Sequence, residues 1–583
     1  MKSFLMLKDF FKDHKWSYIF GVIWLLAIDC VQLLVPQIYR SLTDSFQRSN
    51  LNYGEILKYV LMIILTGLII AIGRYFWRIH ILGTSRTLEY YLRKRLFNHL
   101  LTLSPNYFNT HKTGDLMAHA TNDINAVRMA IGFGTIMSVD SGFMIILSLI
   151  MMIRTTSLKL TLISVVTLPF IILIVTKFGK IIYKRFKTVQ EAFSDLTDVT
   201  QESFSGIRVI KSFVQENLVS HNFYNVNMDN LNKNLDLVKI SGTFHPFLQF
   251  VSSISFLIVI FYGGKEVILD RISLGDFIAF NFYLGLLIWP TRALGMVINT
   301  FQRGIASMDR LNAIFNEKPD IVELENPIEP KDIEGKIEFN NVSFKYPGSE
   351  NYALKNINFT LNKGKTLALI GRTGSGKTSI VSLLLRLYDV TDGTILVDDI
   401  QLKKLSLKIL RENIGYVPQD NFLFSQSIED NIAFAFDEKV PLERVIAASK
   451  TAQVYVNIME FPEKFKTVLG ERGVTVSGGQ KQRISISRAI VKEPPIVILD
   501  DSLSAVDTET EEKILYNLKK LTKDITTIII GHRISTVKDA DEILVLDDGE
   551  IIERGNHGEL LKLGGAYSEL YEKQLLEEKI KGI

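Results

Sequence analysis

The chain has 583 residues, 47% of them hydrophobic, and a mean hydropathy of +0.18, so more than one domain and a large apolar component are required. A formal charge of +3 provides no basic field over a molecule of this size, which excludes a general nucleic-acid binder. One cysteine, Cys30, excludes an internal disulfide framework and a cysteine-based zinc site.

Read from the N-terminus, six segments are long and apolar enough to cross a bilayer: Trp16 to Val35, Ile56 to Arg74, Phe133 to Met152, Leu160 to Thr176, Pro246 to Tyr262 and Leu274 to Ile298. No small-x-small cleavage site follows the first apolar run, so it reads as a retained helix. Lysine and arginine are unevenly shared between the connections. The stretches 1–15, 78–132 and 177–245 hold 20 of them, against 6 in 36–55, 153–159 and 263–273. The basic sides face the cytoplasm, which predicts cytoplasmic termini and short outer loops. The two long basic connections contain few helix breakers and should carry the membrane helices onward into the cytoplasm.

Asp29 and Asp140 fall inside predicted spans, with Arg292 late in the sixth. Ionisable groups are costly in a bilayer, so the two acids are candidate cargo contacts, although an internal ion pair or a helix-end position would also account for them. Phe280, Phe282, Tyr283 and Trp289 could line an apolar pocket or simply pack.

Pro319, Pro327 and Pro330 mark a polar linker over 316–335. This divides a membrane domain, 1–315, from a second domain, 336–575, with a charged tail over 576–583. In the second domain short β-like runs (Ile337 to Phe339, Thr366 to Ile370, Ile496 to Leu499, Thr526 to Ile530) alternate with helical stretches, which predicts an α/β fold. Gly371, Arg372, Thr373, Gly374, Ser375, Gly376, Lys377 and Thr378 spell GRTGSGKT between an apolar strand and a helix. In that context glycines let backbone amides close on phosphate oxygens, Lys377 adds charge at the β- and γ-phosphates, and the Thr378 hydroxyl is suited to Mg²⁺. Asp500 ends the apolar run Ile496 to Leu499 and would place a carboxylate near the same ion. Ser477, Gly478, Gly479 and Gln480 at a helix start offer a second anion site.

In this order, and after a six-span first half, these motifs resemble those of a half-transporter of the ABC exporter superfamily, over residues 16–575. The expected fold is therefore an exporter-type α-helical membrane domain fused to an α/β P-loop ATPase, with ATP and Mg²⁺ as ligands. Val476 to Gln480 resembles the LSGGQ signature with Val for the first Leu; in the family it closes on ATP held by a partner chain. The resemblance implies adenine stacking by Tyr346, Mg²⁺ and water sensing by Gln419, a loop facing the coupling helices over Thr467 to Gly473, a D-loop over Ser504 to Asp507, and a γ-phosphate switch at His532. Residues 106–123 and 204–217 resemble the two cytoplasmic loops that dock on ATPase domains.

One position departs from the family. The residue after Asp500 is normally the glutamate that polarises the attacking water, and here it is Asp501. Such sites occur in the degenerate-site subunit of bacterial heterodimeric multidrug exporters. This implies a non-identical second half-transporter carrying the glutamate, a lipid bilayer and amphipathic or drug-like small-molecule cargo as partners, in a cell membrane. A homodimeric lipid or peptide exporter is the alternative, and an ATP-gated regulatory protein that does not pump is another from a different class.

Overall fold

A computed structural model of the chain describes residues 2–48, 52–470, 473, 476–521 and 525–581. They form two compact units, one of residues 1–101 and 112–317, the other of 102–111 and 318–583.

The first unit contains six helices long and apolar enough to span a membrane: Ser3–Gln47, Tyr53–Thr102, Thr113–Thr155, Leu158–Ser205, Glu216–Ile268 and Leu274–Asn316. Each continues well past its apolar run, because the polar flanks also lack breakers and helix satisfies every backbone group internally. The first span is also prolonged at its C-terminal end: Leu34–Gln47 is helical although 36–55 reads as a connection, with Pro36 placed in the first turn where its missing N–H costs little.

The sixth helix forms the centre of this unit, with Phe280, Tyr283, Leu284 and Leu287 fully buried. Phe280 and Tyr283 therefore pack, and the Tyr283 hydroxyl donates to the Leu33 carbonyl at 3.1 Å. Phe282 stacks on Tyr39, whereas Trp289 is exposed. The helix begins at a capping box in which Ser273 Oγ accepts from the Asp276 amide and Asp276 Oδ2 accepts from the Ser273 amide. Arg40 Nε pairs with Asp276 at 2.7 Å, and Asp44 accepts from the Gly275 amide at 2.9 Å, tying that helix start to the end of the first helix. Carboxylates at a helix N-terminus also meet the positive end of its dipole.

Among the described residues the second unit contains ten strands: β1 (Ile337–Phe344), β2 (Leu354–Leu361), β3 (Thr366–Gly371), β4 (Asp392–Val397), β5 (Ile400–Gln401), β6 (Ile414–Val417), β7 (Ile496–Asp500), β8 (Thr526–Ile530), β9 (Glu542–Asp547) and β10 (Glu550–Gly555). An antiparallel sheet runs β2-β1-β4-β5, and a larger one runs β10-β9-β3-β8-β7-β6 with β3, β6, β7, β8 and β9 parallel. The runs IVILD and TTIII are buried at every position, as strands covered on both faces require. β1 extends five residues beyond the predicted Phe339, bridging an irregular register by alternating between two partners.

Residues 102–111, which the sequence assigned to the membrane domain, belong to the second unit. Ser104 and Asn106 donate to Asp320, and Asn109 in the short helix Pro105–Thr110 donates to the Tyr388 hydroxyl at 2.9 Å. At the other end, the helix Ala566–Lys581 runs unbroken through most of the expected tail.

Candidate functional site

The parallel strands β3, β8 and β7 lie side by side, so their carboxyl ends bring three loops together, where an open α/β sheet places its ligands. Register pairs Asp500 with Ile530 and Leu369 with Ile530, setting the ends of all three strands level.

The β3 loop turns into the helix Lys377–Leu384. Gly374 has φ +86°, with open space around it, so conformation alone calls for glycine. Gly376 has φ +99°, and a Cβ there would lie 2.6 Å from the Ala353 carbonyl oxygen, so close approach calls for it as well. Lys377 is 6% exposed; its Nζ donates to the Gly371 and Arg372 carbonyls at 2.9 and 2.8 Å, spanning the loop from inside. Burial pulls its pKa down, against the opposing pull of Asp500 and Asp501. The ammonium is thus held by carbonyls that anionic oxygens can outcompete.

Thr378 Oγ1 donates to Asp500 Oδ1 at 3.3 Å, and Asp500 Oδ2 is buried with no hydrogen-bond partner. Burial pushes the Asp500 carboxyl up to about 6, with the Asp501 charge adding to the shift and Thr378 and Lys377 opposing it. A hydroxyl and an orphaned carboxylate oxygen beside the phosphate loop form a hard oxygen donor set that fits Mg²⁺. When bound, Mg²⁺ would supply positive charge to the phosphate oxygens.

The raised Asp500 pKa has a measurable consequence. A carboxyl more basic in the folded than in the unfolded chain favours the fold below its unfolded pKa, and that benefit is lost as pH rises through about 6. Above that, the ionised group costs the metal-free protein roughly 3 kcal/mol. Asp500→Asn is therefore expected to raise the unfolding midpoint of the nucleotide-free ATPase domain at pH 7.5 by roughly 5 °C or more, with the gain shrinking towards pH 5. Differential scanning calorimetry checks this; an unchanged or lowered midpoint contradicts it.

Asp501 has a left-handed backbone, φ +47°, where non-glycine residues are uncommon and Asp and Asn are enriched. Its amide donates to the Ile530 carbonyl at 3.0 Å, and Gln419 Nε2 approaches Asp501 Oδ2 at 3.5 Å. Asp501 and the exposed His532 line one cleft at the ends of β7 and β8. Tyr346 is half-buried, its hydroxyl 2.9 Å from Ser379 Oγ and its ring edge-on to Tyr388.

Ser477 caps the helix Gly478–Ile490 in a capping box closed by Gln480. A Cβ on Gly479 would lie 2.9 Å from the Ala505 carbonyl oxygen, so this helix start is flush against the Ser504–Asp507 segment. Asp507 accepts from the Thr510 amide, which holds its carboxyl below the ordinary range. Of Thr467–Gly473, the described part pairs with the chain after Gln419: Leu469 donates to Gln426, and Val468 bridges Ser427. Glu471 and Arg472 lie outside the described residues.

Several connecting residues were not identified from sequence. Gln482 accepts from the Ala505 amide at 3.0 Å. Arg533 donates to the Ser504 carbonyl at 3.1 Å and pairs with the buried Glu511, which also accepts from Thr536. The segment after His532 is thereby tied to the segment after Asp501. Spacing carries no signal for these contacts, since each joins distant parts of the chain.

In the membrane unit, Leu25 and Ile136, each one turn before an acid, pack in one cluster, which brings Asp29 and Asp140, far apart in sequence, to the same level of neighbouring helices.

The family profile described as the ABC transporter transmembrane region matches residues 18–291, and the one described as ABC transporter matches 354–504. The chain is 39% identical over 567 residues to a Bacillus subtilis protein named a probable multidrug resistance ABC transporter ATP-binding/permease protein, with 97% of each chain covered. It is 37% identical over 577 residues to an Escherichia coli multidrug resistance-like ATP-binding protein, covering 99% of this chain and 97% of the relative. It is 38% identical over 537 residues to an ATP-dependent lipid A-core flippase of Haemophilus influenzae, covering 91% and 90%. A solved bacterial Atm1-family ABC exporter with ATP bound superposes with a TM-score of 0.78 over 96% of this chain and 98% of that one; at 24% identity this likeness concerns the fold.

Proposed function

The chain belongs to the ABC transporter family as an exporter with its transmembrane region and ATPase domain in one polypeptide, and from that premise we propose that it is one half of a heterodimeric pump for amphipathic, drug-like compounds. It is an ATPase coupled to transport, with ATP as substrate and Mg²⁺ as cofactor. Asp501 carries the heterodimer reading: its carboxyl meets Gln419 only at the 3.5 Å limit of a hydrogen bond. Where the family places the longer Glu, this side chain is one methylene, about 1.5 Å, short of the attacking water. A displacement near 1 Å can cost about 10²-fold in rate. The reading therefore assigns this chain a site that holds ATP and hydrolyses it slowly, and a partner that supplies the glutamate.

In this assignment Tyr346 stacks on adenine, the amides of Gly371 to Thr378 and the Lys377 ammonium hold the phosphates, and Thr378, Gln419 and Asp500 face Mg²⁺. Asp501 and Gln419 orient water, His532 contacts the γ-phosphate, and Asp507 lies in the segment facing the partner. Ser477, Gly478, Gly479 and Gln480 close on the partner's ATP. Pulling the helices together on ATP binding opens the cavity outward, and hydrolysis resets it. Two measurements test the proposal: identification of the chain that co-purifies from native membranes, and ATP-driven movement of a drug-like compound against its gradient in sealed vesicles. Recovery of this chain alone, or ATP-dependent gating without accumulation, contradicts it.

The relative named a lipid A-core flippase favours a second reading, export of a lipid. Transport of labelled lipid but not drug by the same vesicles would select it.

The charge asymmetry of the connections supports a cytoplasmic location for both termini. In a Cys30→Ser background, Gly264→Cys is expected to react with an impermeant thiol reagent outside intact cells, and Thr113→Cys to stay protected. A Cβ on Gly264 meets nothing within 4 Å and Thr113 is exposed, so neither change disturbs packing. Reversed labelling overturns the orientation.

A further inference from the structure

Three membrane helices bring charged groups to one place. Asp29 is 2% exposed, with its Oδ2 buried and lacking any hydrogen-bond partner. Leu25 and Ile136, one turn before Asp29 and Asp140, pack in a single cluster, so Asp140 on the third helix lies at the level of Asp29, and its partial exposure gives the pair an open side. The second helix runs flush against the first at this level, since a Cβ on Gly73 would lie 2.6 Å from Ile28 Cγ1. Trp77, one turn from Arg74, packs in the same cluster, so Arg74 lies at the level of both acids.

The charges do not balance. Two ionised carboxyls and one guanidinium leave a net single negative charge inside the apolar part of the chain, where an uncompensated charge is costly. Two carboxyls held at one level in an apolar setting resist being ionised together, so the pair keeps a proton. The group therefore lacks one positive charge, and its orphaned oxygen lacks a partner.

We propose that Asp29 and Asp140, with Arg74, form a site for one positive charge, occupied by a shared proton at rest and by the cationic centre of an amphipathic monocation during transport. This rests on the reading of the cargo as drug-like and names the charge class of that cargo. When the cation binds, the O–H bond of the pair breaks, both electrons stay on the carboxylate, and the proton leaves to water. Charge in the site is unchanged by the exchange. Arg74 keeps the deficit at one, so a second cation does not bind there. A neutral compound of similar shape displaces no proton.

The test uses the purified transporter with its native partner in lipid nanodiscs, without nucleotide. Tetraphenylphosphonium is titrated by calorimetry at pH 7 in two buffers of different ionisation enthalpy, with triphenylphosphine oxide as the uncharged counterpart. The expected release is about one proton per phosphonium bound and none for the oxide. Asp140→Asn removes the deficit, so it should abolish proton release and weaken phosphonium binding by roughly tenfold or more while sparing the oxide. Asp29→Asn should do the same, and retained oxide binding shows that either variant is folded. Phosphonium binding without proton release, or with unchanged affinity in Asp140→Asn, overturns the proposal. So does oxide binding with no phosphonium binding, which leaves drug export standing. Failure of both compounds to bind instead counts against the drug-like cargo itself, and with it the site.

Discussion

Ser477→Arg is expected to reduce ATP turnover by the purified two-chain transporter by roughly 100-fold or more, whereas Lys377→Ala in the same chain should leave most of it. The proposed division of labour explains the inequality. Lys377 is buried in its own phosphate loop, fixed by the Gly371 and Arg372 carbonyls, and in the proposed reading it serves only the nucleotide held by this chain. Ser477 is exposed at the start of its helix, and in the proposed reading it serves the partner's nucleotide. An arginine there would put a long cation where an anion site must close, and the flush contact of Gly479 with Ala505 leaves the helix start no room to retreat. Because the partner's site performs nearly all the hydrolysis in this reading, losing this chain's own lysine removes little. Steady-state phosphate release from the complex carrying each change is the measurement. Equal losses would mean two equivalent sites and a homodimer.

What could be read from sequence depended on how local each feature is. The phosphate loop, the Asp500 strand end and the six spans are contiguous patterns, and the structure contains each as strand, loop or helix, with the spans prolonged beyond their apolar runs. β8 spans the five residues expected of it, because TTIII is bounded by breakers and buried on both faces. Pairings across the chain were not legible. Nothing in the spacing of Asp29 and Asp140 reveals that their helices meet, and nothing near Asn109 points to Tyr388. The conformation of Asp501 was equally hidden, since a left-handed φ at a strand end is set by the turn the chain must make there and not by the residue itself.

That conformation bears on the second large effect. Asp501→Glu, introduced into a complex already carrying Ser477→Arg, is expected to raise the residual turnover by roughly 100-fold. With the partner's site blocked by the arginine, the remaining phosphate release comes from this chain's own nucleotide, so the readout isolates the position that the substitution alters. In the proposed reading the added methylene carries the carboxylate towards the attacking water, while the contacts of Thr378 with Asp500 and of Lys377 with its own loop stay in place. The gain has an opposing term. At φ +47° an aspartate is better tolerated than a longer side chain, so the substitution should lower stability slightly, by less than about 1 kcal/mol. A faster and marginally less stable site is therefore the expected combination. Unchanged turnover in the double variant, with ATP still bound at this chain's site, would mean that the reach of residue 501 is not what limits hydrolysis there.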